Sequence, residues 1–388
     1  MFPVILLTLG LSVAGMPANN FISILTDSTN SAQTIPVGKT PVSRADMMEI
    51  ARLATIASNA YCPQDRQLQP PRKGENLQRV AKTGSVVASS REREPYEDEL
   101  PISWYISHNP SSQTLTLALS SLPSLDQTLE LLSSSPTHNL THGLSSNLVD
   151  LPSWLFPPEV LPFLPPPSIH HSYIPALETR GTDALVSLLG YLENPLPPFQ
   201  SGTDILRSVL TSWSTRHSSA SKSQIKHVDV VGHGIGAALG LLIALALHLE
   251  VSGPAAASYI TPLPEIDITA TLFGLPRVGD TVFADWVEDL VEETHGKLKI
   301  HKITSYADTV VHLPERHMGL VHPPVGEIWV GADPRVAYAC RGEGKDRVCS
   351  EEMELSKTSL LDHAGPFAGV WIGPGSCRRP ELAAHMGF

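Results

Sequence analysis

Apolar residues recur with two different periods along this chain, and the switches between them outline its elements. Met47, Ile50, Leu53, Ala54 and Ala57 fall at helical spacing behind Ser43-Arg-Ala-Asp46, a serine and acid placed to cap a helix start. From Ile102 the period shortens, predicting a strand over 103–106, a turn at Asn109-Pro110 and a second strand over 114–119. Helical spacing returns over 183–192 and 203–213. A β-branched run at 228–231 then leads into an apolar helix over 235–249. Strands near 268–273, 298–304 and 327–330 follow, the first two separated by a helix over 281–293. Strands alternating with helices predict an α/β fold with a mostly parallel central sheet covered by helices on both faces. The pattern places this single domain at 43–388, after an apolar stretch (1–15) and a polar linker (16–42).

Composition refines the picture. The chain carries 34 prolines among 388 residues, and they crowd the stretch 152–198, where a continuous helix is excluded. The segment 122–167 is expected to be irregular. Its Leu151, Trp154, Leu155, Phe156, Leu161, Phe163 and Leu164 suit a lid over a pocket, a contact with a lipid interface, a packed crossover or a partner-docking surface. A formal net charge of -12 argues against nucleic acid as a partner, because a broad basic field is missing. Residues 1–15 resemble the core of a signal peptide ending in small residues. No other segment is expected to span a membrane, the stretch 235–249 falling short of the ~18 apolar residues required. Four cysteines in a chain expected to be secreted suggest two disulfides. Cys340 and Cys349 bracket a polar loop, which leaves Cys62 and Cys377 to tie the first helix to the C-terminus. Asn139-Leu-Thr141 is an N-glycosylation sequon.

The most informative stretch is Gly232-His-Gly-Ile-Gly236, lying between the β-branched strand and the apolar helix. That layout is a nucleophile elbow, Gly-x-Ser-x-Gly, where a sharp turn lifts a serine hydroxyl above a sheet. Here the central position is Gly234, which has no side chain, so the nucleophile position is vacant. Acyl transfer further needs an acid and a base in the chain order nucleophile, Asp, His. Asp308, just past a strand, and His363, in a turn-rich segment, satisfy that order. Two competing chemistries are weaker. Gly232-x-Gly234-x-x-Ala237 also fits a dinucleotide fingerprint, but no acidic residue stands about 20 positions on. His170, His171 and His233 do not have the spacing of a standard metal site. No cofactor is expected.

At these motifs the chain resembles the fungal class 3 lipases, particularly their basidiomycete members. The elbow resembles Gly-His-Ser-Leu-Gly, departing at Gly234 and Ile235. Phe273-Gly-Leu-Pro-Arg-Val-Gly-Asp and Gly319-Leu-Val-His-Pro-Pro-Val-Gly-Glu-Ile-Trp329 are similar to two further family blocks, and Ile169-His-His-Ser-Tyr173 is similar to a third. The resemblance implies an α/β-hydrolase fold, a triad Asp308 and triad His363, and a lid within 122–167. It also implies an oxyanion hole whose backbone donor is the Ile235 N–H. The hole's hydroxyl position aligns with Leu122, which predicts that this donor is lost. Removing the nucleophile of a serine hydrolase costs about 10⁶ in kcat, and one oxyanion donor a further ~10²–10³. The expectation is a lipase-like protein without ordinary turnover that still binds a lipid, fatty acid or ester. The alternatives are slow ester hydrolysis by a His363-activated water and an interaction module using 122–167. Restoring serine at position 234 is expected to cost ~1 kcal/mol or less in backbone strain.

Overall fold

A computed structural model describes residues 39–62, 85–90, 100–133, 148–152, 166–193, 225–252, 265–340 and 349–378. The strands are β1 (Lys39–Pro41), β2 (Ser85–Ser89), β3 (Trp104–Asn109), β4 (Thr114–Leu119), β5 (Leu148–Asp150), β6 (Ser168–His170), β7 (His227–His233), β8 (Asp267–Phe273), β9 (Leu298–Ser305), β10 (Glu327–Val330) and β11 (Ala337–Cys340). Nine of them form one sheet in the order β1-β11-β10-β9-β8-β7-β4-β3-β2. The central run β4-β7-β8-β9-β10 is parallel, and both margins are antiparallel. β5 and β6 pair separately. This is the α/β-hydrolase architecture.

Helices cover both faces. α1 (Arg44–Asn59) starts as its capping signal predicts, with the Ser43 hydroxyl oxygen accepting the Asp46 N–H at 3.2 Å. On the opposite face lie α3 (Tyr173–Ala176), a π-turn (Leu177–Gly181), α4 (Thr182–Glu193) and α5 (Ile235–Ser252); α2 (Leu125–Ser133) lies between β4 and β5 in the chain. α6 (Thr281–Glu293) is capped by Asp280, which accepts the Phe283 N–H at 2.8 Å. A short α7 (Pro374–Arg378) ends the described chain. The pleat of β7 sorts its side chains between two cores. Val228 and Val230 join the cluster around α5, while Val231 joins Ile50, Leu53, Ala54 and Ala57 of α1. α5 is apolar all round and 78% buried, so although long enough to cross a membrane it is the core helix of this fold.

Four expectations change. Lys39–Pro41, assigned by sequence to the polar linker, pair with β11 as an edge strand. The segment 122–167 is not irregular throughout, because Leu125–Ser133 is helical with Thr128 and Leu132 buried. Leu122, at its start, and Leu151, within it, pack into the main core. Third, the 18-residue α5 exceeds the expected helix by one turn's worth of residues at its C-terminus. Fourth, the expectation that 152–198 excludes a continuous helix is corrected: Tyr173–Glu193 is helical throughout, with Pro175 in its first turn, where a missing N–H costs nothing. Residues 1–15, Asn139, the helix over 203–213 and, within the proline-rich stretch, residues 153–165 and 194–198 lie outside the described residues.

Candidate functional site

The carboxyl ends of four parallel strands converge on Gly234, where open α/β sheets build their sites. β7 ends at His233, and Gly234 takes φ +56, the left-handed conformation an elbow needs. Its N–H donates to the Phe273 carbonyl at 2.9 Å, and its carbonyl accepts from Ala237 at the start of α5. The flanking glycines serve a different end. A Cβ on Gly232 would lie 2.3 Å from the Gly236 carbonyl oxygen, and one on Gly236 would lie 2.2 Å from that of Ser120. Only hydrogen at both positions lets strand, turn and helix approach this closely.

Asp308 follows β9 and is fully buried. His363 sits on a single 3₁₀ turn, Leu361–Ala364, drawn to the end of β9 by the Ser359 N–H donating to the Ala307 carbonyl at 2.7 Å. The His363 Nδ1–H donates to both carboxylate oxygens of Asp308, at 3.0 and 3.1 Å, and Val310 donates its N–H to the same carboxylate. With Nδ1 protonated, Nε2 of the neutral ring carries a lone pair. That nitrogen is buried, with no hydrogen-bond partner among the described residues, and lies 2.8 Å from where a Cβ on Gly234 would stand. The sequence-predicted residues Gly234, Asp308 and His363 are thus brought together.

Leu122 is not among them. It is 5% exposed and turned into the apolar core, whereas the hydroxyl beside the elbow belongs to Ser121. The Ser121 Oγ accepts the Ile235 N–H at 3.1 Å and lies 2.7 Å from the Gly234 Cβ position. The register explains this: Leu119 of β4 pairs with Gly232 of β7, so the two residues after Leu119 run alongside the turn. The expectation that a hydroxyl is missing here is corrected by one position.

Sequence reasoning also missed Tyr61 and Gly274. The buried His233 ring, held well below the usual imidazole range by burial and then by the neighbouring His363, is neutral. A carbonyl only accepts, so His233 Nε2–H donates to the His363 carbonyl at 2.9 Å and Nδ1 accepts the Tyr61 O–H at 2.6 Å. The Tyr61 oxygen in turn accepts the Ser121 N–H at 2.9 Å. His233 and His363 stack with centroids 4.4 Å apart. This chain of contacts positions both Ser121 and His363 through residues remote in sequence. Gly274, at φ +56 after β8, lets the dyad lie across its backbone, since a Cβ there would meet the His363 ring and the Asp308 carboxylate within 2.8 Å. No local signal marks Tyr61; Gly274 directly after a strand was a readable one.

The histidines considered for metal have other engagements: His233 as above, and His170 through Nδ1 to Ser172 at 2.6 Å. The acid and sulfur atoms that do cluster, from Glu327, Cys340 and Cys349, include a disulfide between Cys340 and Cys349, so no thiolate is on offer there. Cys62 is also disulfide-bonded; its expected pairing with Cys377 lies outside the described side chains.

The family Lipase (class 3) matches residues 181–318. A secreted mono- and diacylglycerol lipase of Malassezia globosa is 30% identical over 162 residues, 41% of this chain and 47% of that protein. A lipase of Rhizomucor miehei is 29% identical over 151 residues, 39% of this chain and 36% of that protein. The chain spans about half the length, or less, of these curated relatives. Among solved structures, lipase II from Rhizopus niveus superposes with a TM-score of 0.51 at 20% identity, covering 87% of this chain and 99% of that one. The Rhizomucor miehei triacylglyceride lipase superposes at 0.53 with 18% identity, covering 88% and 100%. The chain therefore has the α/β-hydrolase fold of the fungal lipases and is related in sequence to the class 3 lipases.

Proposed function

We propose that this protein is an extracellular lipase-like protein that binds an acyl lipid or ester and lacks the ordinary acyl-enzyme route through residue 234. The observation that carries this reading is the glycine at φ +56 facing an assembled His363–Asp308 dyad. The turn supports the conformation of an active elbow, but no side chain at its apex can attach an acyl group. Relatives named as secreted mono- and diacylglycerol lipases support glyceride-like ligands and an extracellular location. A purified sample should turn over p-nitrophenyl butyrate about 10⁶-fold more slowly than a serine lipase, while binding a fluorescent fatty acid saturably. Lipase-level turnover would overturn the reading.

A second reading is slow ester hydrolysis with His363 as general base. It is favoured by the buried Nε2, which has no hydrogen-bond partner among the described residues: such an atom costs stability, a cost found at sites where the atom acts on a ligand. On this reading the residual rate disappears in His363→Ala. A rate unchanged by that substitution would leave His363 without a catalytic role.

A further inference from the structure

The vacancy at residue 234 is bordered by a hydroxyl. The Ser121 Oγ and the His363 Nε2, which has no hydrogen-bond partner among the described residues, both lie within 2.8 Å of one point, the Cβ position of Gly234. In an active elbow that space holds the serine side chain; here the missing side chain removes the barrier between the two groups. Ser121 is 3% exposed and His363 4% exposed, so neither is a freely solvated surface group. The Ser121 oxygen already accepts the Ile235 N–H at the amino end of an 18-residue helix. Both the hydrogen bond and the helix dipole favour negative charge on that oxygen. Its backbone is held by Tyr61, and Tyr61 is tied through His233 to the carbonyl of His363 itself. The Ser121 backbone and the His363 ring are therefore held on two sides of the vacancy, with Oγ and Nε2 facing the same point but not hydrogen-bonded to each other.

We propose that Ser121 is a relocated nucleophile, the acyl-accepting residue of this site, with His363 as its base. The proposal rests on the second reading above, in which His363 acts on an ester. His363 Nε2 takes the Ser121 hydroxyl proton as Oγ bonds to the ester carbonyl carbon. The bond from that carbon to the alkoxy oxygen then breaks, and His363 passes its proton to the leaving oxygen, releasing an alcohol. Water next adds to the acyl-Ser121 carbonyl while His363 takes one of its protons. Breaking the Oγ–carbonyl bond frees the carboxylic acid, and the proton returns to Ser121. With the hydroxyl spent as nucleophile, the Ile235 N–H is left as an oxyanion donor without Ser121's help. Loss of one such donor lowers turnover ~10²–10³-fold, so the acyl-enzyme should form and decay slowly.

The experiment treats the intact protein with a fluorophosphonate and maps the modified peptide by mass spectrometry, alongside p-nitrophenyl butyrate hydrolysis. The expected result is a single adduct on Ser121, absent from Ser121→Ala and from His363→Ala and retained in Ser121→Thr. Ser121→Ala should lower the His363-dependent rate about 100-fold or more, with a melting temperature showing that the variant is folded. Gly234→Ala, which places a methyl between the two groups, should also block labelling. His363-dependent hydrolysis that persists in Ser121→Ala with no adduct overturns the proposal and leaves His363 acting on water. An adduct on another residue overturns it too. Neither adduct nor hydrolysis in the unsubstituted protein overturns both this proposal and the reading beneath it.

Discussion

At Gly234, conformation and space point the same way. The turn's φ of +56 disfavours a side chain, and the space a Cβ would take is already bounded by Ser121 at 2.7 Å and His363 at 2.8 Å. Strain alone leads one to expect a serine cost of ~1 kcal/mol or less. The two contacts are closer than side-chain carbons tolerate, so Ser121 or His363 must shift to admit one. Gly234→Ser should therefore destabilise the fold by about 1–3 kcal/mol, read as a lower denaturant midpoint at unchanged slope. A midpoint equal to or above that of the unsubstituted protein would show that the neighbours move freely. Gly234, Asp308 and His363 were legible in the sequence because elbow spacing and chain order are local or ordinal signals. Ser121 was missed by one residue, since Ser120-Ser121-Leu122 carries no alternation to say which side chain meets the turn; only the pairing of Leu119 with Gly232 decides it.

Among the elements, the elbow strand and its helix are held together by two close backbone approaches. A methyl on Gly236 would strike the Ser120 carbonyl oxygen at 2.2 Å, and backbone cannot swing aside as a side chain can. Gly240, one turn further along α5, would place its methyl 3.3 Å from Val230 and 3.4 Å from Leu272, which are side chains. Gly236→Ala should cost about 3 kcal/mol or more. Gly240→Ala should be within ~1 kcal/mol of neutral, because Ala gains about that much in helix propensity. Thermal melts of the pair separate the cases, and equal losses would contradict the register described. The long central strands, α1 and α6 were legible because each buries a regular stripe, and α5 because its apolar run is unbroken. β1, β2, β5 and β11 have three to five residues, too few to show a period, and their pairing depends on neighbours far along the chain.

In the whole molecule, the α1 layer encloses a carboxylate. Asp229 of β7 faces α1, where burial raises its carboxyl to about 6, opposed by Arg52 at 4.0 Å and reinforced by Glu49. A raised acid in the fold means that ionisation costs the folded state and not the unfolded one. The penalty is fully present above about pH 6 and vanishes as pH falls to about 4. Asp229→Asn should thus raise stability by the order of 1–3 kcal/mol at pH 8 and by little at pH 4, leaving Arg52 its bond to Glu49. A larger gain at pH 4 would reverse the sign. Fold class was legible at this scale, since alternating strands and helices admit few architectures. α5 also constrains how the chain is made. With no polar side to turn outward, it can tolerate water only fleetingly, so a newly made chain must close its sheet over this greasy rod before a lipid droplet, a chaperone or another copy does so first.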